Sequence, residues 1–207
     1  MYHKECLLNG NDIMGSQMPL ITLEHARLLG AGNERLCFIH PENERLCIKV
    51  TKPGVTHRSQ NAIEQQYFEY LKEQATPFTY LPEYYGVVQT NYGLGLVFER
   101  ILDDNNQPSQ RLDALIKNHE ISNSCAAEAV KELQEYLLKY GIMLGDINPD
   151  QILMRSEKRT LKPVIIDGVG PRHLGFKSFV YTRVTPLARY KLKKNWPILV
   201  EGLGLAS

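Results

Sequence analysis

The sequence has almost no excess of charge of either sign. Lysine and arginine number 24 and aspartate and glutamate number 23, so the formal net charge at pH 7 is +1. Proteins that bind nucleic acid electrostatically carry a basic excess, and we therefore expect no nucleic-acid partner. The apolar runs are far shorter than the roughly 20 residues that span a bilayer, so we expect no membrane partner. The first residues, Met1 to Glu5, lack the apolar core of a signal peptide, which predicts a cytoplasmic protein.

Cysteine is also scarce. The four cysteines are Cys6, Cys37, Cys47 and Cys125, and no pair has the C-x-x-C spacing of a zinc site or a redox motif. Cys37 and Cys47 lie in predicted strands, so we expect buried free thiols. A hairpin disulfide between these two residues is the alternative, but nothing in the sequence indicates export to an oxidising compartment.

What the sequence does have is the composition of a globular protein. It contains 207 residues, of which 43% are hydrophobic and 23% charged, enough for one domain or for two tightly joined lobes. Turn residues dominate an N-terminal arm, 1–19, whereas strands and one helix are predicted over 20–102 and mainly helices over 103–207. The predicted fold class is α+β.

The most informative stretch runs from Tyr140 to Met154, where a helix, a polar turn and a short strand follow one another. The turn contains Asp146, and the strand begins at Gln151. A second strand, 163–168, ends on Asp167-Gly168. A carboxylate such as that of Asp146 can accept a proton from a substrate hydroxyl, while the amide oxygen of Gln151 and the carboxylate of Asp167 can together hold magnesium.

A glycine turn in the N-terminal half indicates phosphate binding. Gly30 and Gly32 precede a predicted strand, and glycine lets backbone N–H groups approach a phosphate closely. The return strand, 45–50, contains Lys49 among apolar residues, where a bare ammonium is costly unless it meets an anion. The alternative is an ordinary hairpin whose lysine extends to solvent.

A helix is predicted from an N-cap at Ser59, and one of its acids could pair with Lys49. Glu64 is preferred, because its competitor Glu69 adjoins the predicted core residues Tyr70 and Leu71. The alternative for either acid is a solvated helix face.

The remaining pattern is a hairpin followed by helices. Strands are predicted over 85–90 and 95–101, and helices over 111–117 and 123–140, the second ending at Gly141. A basic run, 183–194, is interpreted as a solvated helix face, with a surface for an acidic partner or phosphate as the alternative.

Taken together, the candidate residues follow the order of the protein-kinase motifs, and the chain resembles that class. The matching residues are Gly30 and Gly32, Lys49, Glu64, Asp146 with Gln151, and Asp167-Gly168. Over roughly residues 20–195 the chain is similar to a compact kinase-like bacterial family, the PhoP regulatory network protein YrbL family. This similarity is carried by Leu29-Gly30-Ala31-Gly32, the His40-Pro41 turn, Cys47-Ile48-Lys49-Val50, the stretch from Asp146 to Leu153, and the stretch from Val164 to Gly168.

The resemblance implies a two-lobed protein-kinase-like fold with a reduced C-terminal lobe, the lobes covering 20–102 and 103–207. It implies ATP and magnesium as ligands. Lys49 would hold the nucleotide phosphates and be oriented by Glu64, Asp167 and Gln151 would hold the metal, and Asp146 would position or deprotonate the acceptor hydroxyl. The backbone over 99–102 would face the adenine ring. The acceptor, a small molecule or a protein, is not indicated by any residue.

Four positions depart from the kinase pattern. Arg35 replaces the third glycine of the loop, so the loop would either hold phosphate differently or contact it through Arg35 itself. Leu144 replaces the catalytic-loop histidine, Gln151 replaces the metal-binding asparagine, and Val169 follows Asp167-Gly168 where the motif ends. These departures motivate a second hypothesis, a pseudokinase that acts as a binding module in regulation. A structural α+β protein with chance motif matches is the third.

Overall fold

A computed structural model describes residues 19–55, 60–145, 147–171 and 185–205. The first part is a six-stranded sheet with strand order β1-β5-β6-β4-β3-β2, in which only the β1–β5 pair is parallel. Its strands are β1 Leu20–Ile21, β2 Leu28–Ala31, β3 Arg35–His40, β4 Asn43–Thr51, β5 Tyr84–Thr90 and β6 Gly93–Glu99. Helix α1, Gln60–Glu73, lies between β4 and β5 in the chain.

The second part combines helices with a small antiparallel sheet. Its three strands are β7 Gln110–Arg111, β8 Ile152–Glu157 and β9 Thr160–Ile165. Its helices are α2 Leu112–Lys117, α3 Asn123–Tyr140 and α4 Thr185–Gly202, and a 3₁₀ turn, Pro149–Gln151, leads into β8. In the described part of the chain no helix is long and apolar enough to cross a membrane.

The β3–β4 hairpin has two different faces because side chains alternate along a strand. Ile48 and Val50 are fully buried on one face, where they pack with Phe38. The opposite face carries Cys37 and Lys49, which are direct register partners. The alternation that predicted the return strand therefore decides which side chains reach the cluster described below.

Helix α3 ends at Gly141 as its sequence predicts, and a serine caps its N-terminus. Ser122 is the N-cap and accepts a hydrogen bond from the Cys125 N–H, and Gly141 ends the helix in the left-handed conformation with φ 63°. The sequence predicts an apolar face of seven residues at helical spacing, of which Tyr140 is 36% exposed and the other six are buried: Ala126, Ala129, Val130, Leu133, Tyr136 and Leu137. The start of α4 packs at this end, and Arg189 donates to the Leu138 and Lys139 carbonyls at 2.7 and 3.2 Å.

One continuous hydrophobic core joins both sheets and all the described helices. Its members include Cys47 and Phe98 from the large sheet, Phe68 and Leu71 from α1, Leu112 from α2, Leu133 and Leu137 from α3, Ile152 and Ile165 from the small sheet, and Leu192 and Trp196 from α4. The mixed α+β class is therefore confirmed, and so are the two hairpins and the three helices predicted before residue 141.

Three local expectations were wrong. Gly30 lies within β2 rather than in a turn, because its backbone pairs with Cys37. The charged residues 155–160 predict a turn, but the segment is largely strand: β8 continues to Glu157, and only Lys158 and Arg159, with φ 49° and 67°, form the turn. Strand β9 ends at Ile165, two residues before Asp167.

Other expectations concern the thiols, the basic run and the undescribed residues. Cys37, Cys47 and Cys125 are free thiols, although Cys37 is only partly buried. Lys191, Lys193 and Lys194 are exposed on α4, as a solvated helix face requires. The arm over 1–18, Ser59, Asp146 and Arg183 lie outside the described residues.

Candidate functional site

Four charged side chains from four segments meet beneath the large sheet. Arg35 comes from β3, Lys49 from β4, Glu64 from α1 and Asp167 from the segment after β9. We call these four residues the ion cluster. It unites three of the candidate residues from the sequence with Arg35, which departs from the kinase pattern.

Local structure explains why the strand residues face the same way. Cys37 lies opposite Lys49, and Arg35 precedes Cys37 by two residues on the same face of β3. The start of α1 is tied to the same strand, because the Asn61 side chain donates to the Lys49 carbonyl at 2.9 Å. Glu64 then lies one turn further along α1, on the buried side of the helix.

Lys49 contacts a carboxylate, a backbone carbonyl and an aromatic ring. Its Nζ lies 2.8 Å from Glu64 Oε1 and 2.9 Å from the Ile166 carbonyl oxygen, and 4.6 Å from the centre of the Phe98 ring. Burial lowers the pKa of Lys49, but the carboxylates of Glu64 and Asp167 together raise it more, so the net shift of the pKa is upward. Lys49 is therefore a charged ammonium at neutral pH.

Arg35 bridges the two carboxylates of the cluster. Its Nη1 donates to Glu64 Oε2 and its Nη2 to Asp167 Oδ1, while only 9% of its side chain is exposed. Burial opposes the charge of the guanidinium, but Glu64 and Asp167 together raise the pKa of Arg35 above its ordinary value. Glu64 therefore contacts both cations, one through each oxygen.

Asp167 is the open member of the cluster. Its side chain is 45% exposed, compared with 5% for Glu64. Besides Arg35, its Oδ1 accepts the Gly168 N–H at 2.8 Å. Burial raises the pKa of Asp167, but the charges of Lys49 and Arg35 lower it more, so the net shift is downward. The cluster contains two cations and two carboxylates and is electrically balanced.

The backbone of Gln151 lies close to the segment that carries Asp167. Its carbonyl accepts a hydrogen bond from the N–H of Ile166, the residue before Asp167, at 2.9 Å. Its side chain takes part in a capping box, with Oε1 accepting the Asn148 N–H at 2.9 Å. An amide oxygen has two lone pairs, so one remains for a cation.

The donor set fits magnesium better than a metal held by protein alone. In the described residues no three His, Cys, Asp or Glu side chains converge on one point. Magnesium is usually held by one or two protein oxygens, with phosphate and water completing its shell. The half-exposed Asp167 carboxylate is one such oxygen, and Gln151, whose backbone carbonyl accepts the Ile166 N–H next to Asp167, is the candidate for a second.

Other predicted residues are placed less informatively. A methyl group added at Gly30 or Gly32 would meet nothing within 4 Å, so local packing does not require glycine at either position.

Asp146 is not described, but its neighbours are: the Gly145 N–H donates to the Gly168 carbonyl at 2.9 Å, and buried Leu144 forms a β-bridge with Val169. Of the two acids weighed on α1, Glu64 contacts Lys49, whereas exposed Glu69 accepts from Gln65.

Sequence reasoning missed the bridging role of Arg35. The sequence did indicate which way Arg35 faces. Arg35 lies two residues before Cys37 on one strand, and Lys49 lies on the return strand of the predicted hairpin. That spacing indicates a shared face, but it cannot indicate contacts with Glu64 and Asp167, which are 29 and 132 residues away.

The fold and the site together define an α+β protein with a buried, charge-balanced ion cluster whose aspartate opens to solvent. The chain belongs to the PhoP regulatory network protein YrbL family, whose model matches residues 21–204. It is similar to the uncharacterized protein YrbL of Escherichia coli (strain K12), with 28% identity over 159 residues, covering 73% of this chain and 74% of that protein. The uncharacterized protein YrbL of Shigella flexneri matches with the same identity and coverage.

Proposed function

We propose that the protein binds ATP with magnesium in a kinase-like manner and transfers a phosphoryl group within a bacterial regulatory network. The observation that carries this proposal is the Lys49–Glu64 ion pair next to the open carboxylate of Asp167. A lysine held by a helix glutamate beside a metal-binding aspartate is the arrangement by which kinases orient nucleotide phosphates. The family description supports the regulatory context.

The residues divide the work as follows. Lys49 would bind the nucleotide phosphates, and Glu64 would keep the ammonium in position. Asp167 and Gln151 would hold magnesium, which neutralises phosphate charge when bound. Asp146 would position the acceptor hydroxyl and take its proton. These groups would promote phosphoryl transfer by positioning the reactants and neutralising charge. The acceptor would be a small molecule or a protein.

The first test is thermal unfolding with and without ATP and magnesium. A ligand that binds only the folded state stabilises it by about 2.7 kcal/mol at a concentration about 100 times its dissociation constant. We expect a metal-dependent rise in the midpoint for the wild type and none for Asp167→Ala. Absence of any shift at millimolar ATP in the folded wild type would contradict the proposal.

A second variant separates phosphate binding from metal binding. Lys49→Ala should abolish nucleotide binding, whereas Lys131→Ala, at a lysine that is 74% exposed on α3, should leave it unchanged. Unchanged nucleotide affinity in a folded Lys49→Ala protein would remove Lys49 from the site.

The second candidate function is a pseudokinase that binds nucleotide or a protein partner without efficient transfer. Two observations favour it: the Gln151 amide oxygen already accepts a backbone N–H, and apolar Leu144 stands where the kinase motif has histidine. Phosphate transfer measured with labelled ATP and lost in Asp146→Asn would eliminate this candidate.

A further inference from the structure

We propose that Arg35 is a built-in counter-ion for Asp167 that a divalent cation must displace, so that this arginine sets the metal affinity of the site. The inference rests on the proposed function, because it concerns the same carboxylate. It assigns a positioning role to a residue outside the kinase pattern.

The charges of the cluster show what Arg35 is needed for. Glu64 already has a cation, because Lys49 lies 2.8 Å from its Oε1. Lys49 makes its second polar contact with the Ile166 carbonyl, so Asp167 has no direct contact with Lys49 among the described hydrogen bonds. Arg35 is therefore the cation that directly contacts the Asp167 carboxylate.

That contact opposes metal binding. Asp167 Oδ1 already accepts from both Arg35 and the Gly168 N–H. A divalent cation on this carboxylate would lie next to a guanidinium that is 9% exposed, where water screens their repulsion poorly. Metal binding without an anion is therefore opposed by Arg35 as long as Nη2 stays on Asp167.

The same geometry predicts what the guanidinium of Arg35 would bind once its Nη2 leaves Asp167. Nη1 of Arg35 stays on buried Glu64, so the side chain remains anchored while Nη2 is freed. A freed guanidinium donor beside a cation is suited to an anion such as a phosphate. Metal alone should therefore bind weakly, and metal together with a phosphorylated ligand should bind more tightly.

The test uses Mn²⁺ without nucleotide, with free Mn²⁺ counted by electron paramagnetic resonance. The full-length variants are Arg35→Gln, which removes the charge but keeps an amide donor for Glu64, and Asp167→Asn. We expect Arg35→Gln to bind Mn²⁺ about 10-fold more tightly than the wild type, and Asp167→Asn to cancel this gain in the double variant. Arg155→Gln, which breaks an ion pair with Glu99 elsewhere, should match the wild type.

A folding failure of Arg35→Gln can be bypassed. The double variant Arg35→Gln/Glu64→Gln removes one charge of each sign and keeps the cluster balanced, so it should still bind Mn²⁺ more tightly than the wild type, by a smaller factor than Arg35→Gln. If Mn²⁺ affinity does not rise in the folded variants but still depends on Asp167, the Arg35 proposal is overturned while the metal site stands. If no variant binds Mn²⁺ at millimolar concentration, the metal site of the proposed function is also overturned.

Discussion

At the scale of single residues, the ion cluster is costly to maintain. Arg35, Lys49 and Glu64 all have side chains that are at most 11% exposed, and taking such charges out of water costs several kcal/mol per ion. Buried ion pairs often stabilise a protein no better than well-packed apolar residues would. The cost of the cluster is consistent with the binding role proposed for it above.

The first prediction concerns Glu64, the carboxylate shared by both buried cations. Glu64→Gln leaves Arg35 and Lys49 with Asp167 as their only carboxylate, so we expect a loss of about 3 kcal/mol or more in the free energy of unfolding. The measurement is urea denaturation at pH 7. The matched control is Glu69→Gln, an exposed acid on the same helix, which should change stability by less than about 0.5 kcal/mol. Equal effects of the two variants would show that the cluster is not stabilised by Glu64.

The second prediction follows from the lowered pKa of Asp167. A carboxylate whose pKa is lowered by folding stabilises the folded state above its unfolded pKa, about 3.9, and loses this contribution as the pH falls through the folded pKa. We expect the wild type to exceed Asp167→Asn in stability at pH 7, and the difference to shrink below about pH 4.

Urea midpoints measured from pH 7 down to pH 3 would check this. Glu128→Gln, at an exposed position on α3, serves as the control and should show no comparable difference at pH 7. A difference between wild type and Asp167→Asn that stays constant down to pH 3 would mean that the Asp167 charge is not stabilised by Arg35 and Lys49.

At the scale of elements, sequence periodicity predicted most of the structure. Alternation predicted the return strand of the β3–β4 hairpin, and two apolar segments around a turn predicted the β5–β6 hairpin. The 3.6-residue period with Gly141 predicted α3. The sequence did not predict that Lys158 and Arg159 would adopt positive φ, because their residue types favour neither a tight turn nor the left-handed region. Long-range contacts such as Arg35–Asp167 depend on tertiary packing, and no local pattern encodes them.

The third prediction concerns the junction between α3 and α4. Gly141 has φ 63°, and a methyl group there would overlap Thr185 Cγ2 and lie 3.2 Å from Thr185 Cβ. Gly141→Ala should therefore lose roughly 1–2 kcal/mol for the left-handed backbone and a further amount for the displaced start of α4.

A second glycine isolates the packing contribution. Gly204 has φ 68° and nothing within 4 Å of an added methyl group, so Gly204→Ala should lose only the backbone part. Thermal unfolding of both variants measures the two effects. If Gly204→Ala is as destabilising as Gly141→Ala, the approach of α4 to α3 contributes nothing.

At the scale of the whole molecule, polar contacts supplement the shared core between the two parts. Arg155 on β8 lies 2.7 Å from Glu99 at the end of β6. Asp103 Oδ1 accepts the Ser156 N–H at 2.9 Å, and the Tyr67 hydroxyl of α1 accepts the Met143 N–H at 2.7 Å. These contacts and the common core place Asp167, which follows β9, against the strands that carry Arg35 and Lys49.

The final prediction is that both parts unfold in one cooperative transition. The core contains Phe98 from the large sheet and Trp196 from α4, so losing either part exposes apolar surface on the other. Trp196 is the only tryptophan, is 5% exposed, and reports on the second part by fluorescence, whereas far-ultraviolet circular dichroism reports on both parts. Within each protein, the wild type and Arg155→Gln, urea unfolding followed by fluorescence and by circular dichroism should give the same midpoint and the same slope. A circular-dichroism phase that precedes the fluorescence change would instead show that the large sheet unfolds by itself, and the ion cluster would then join two independently stable units.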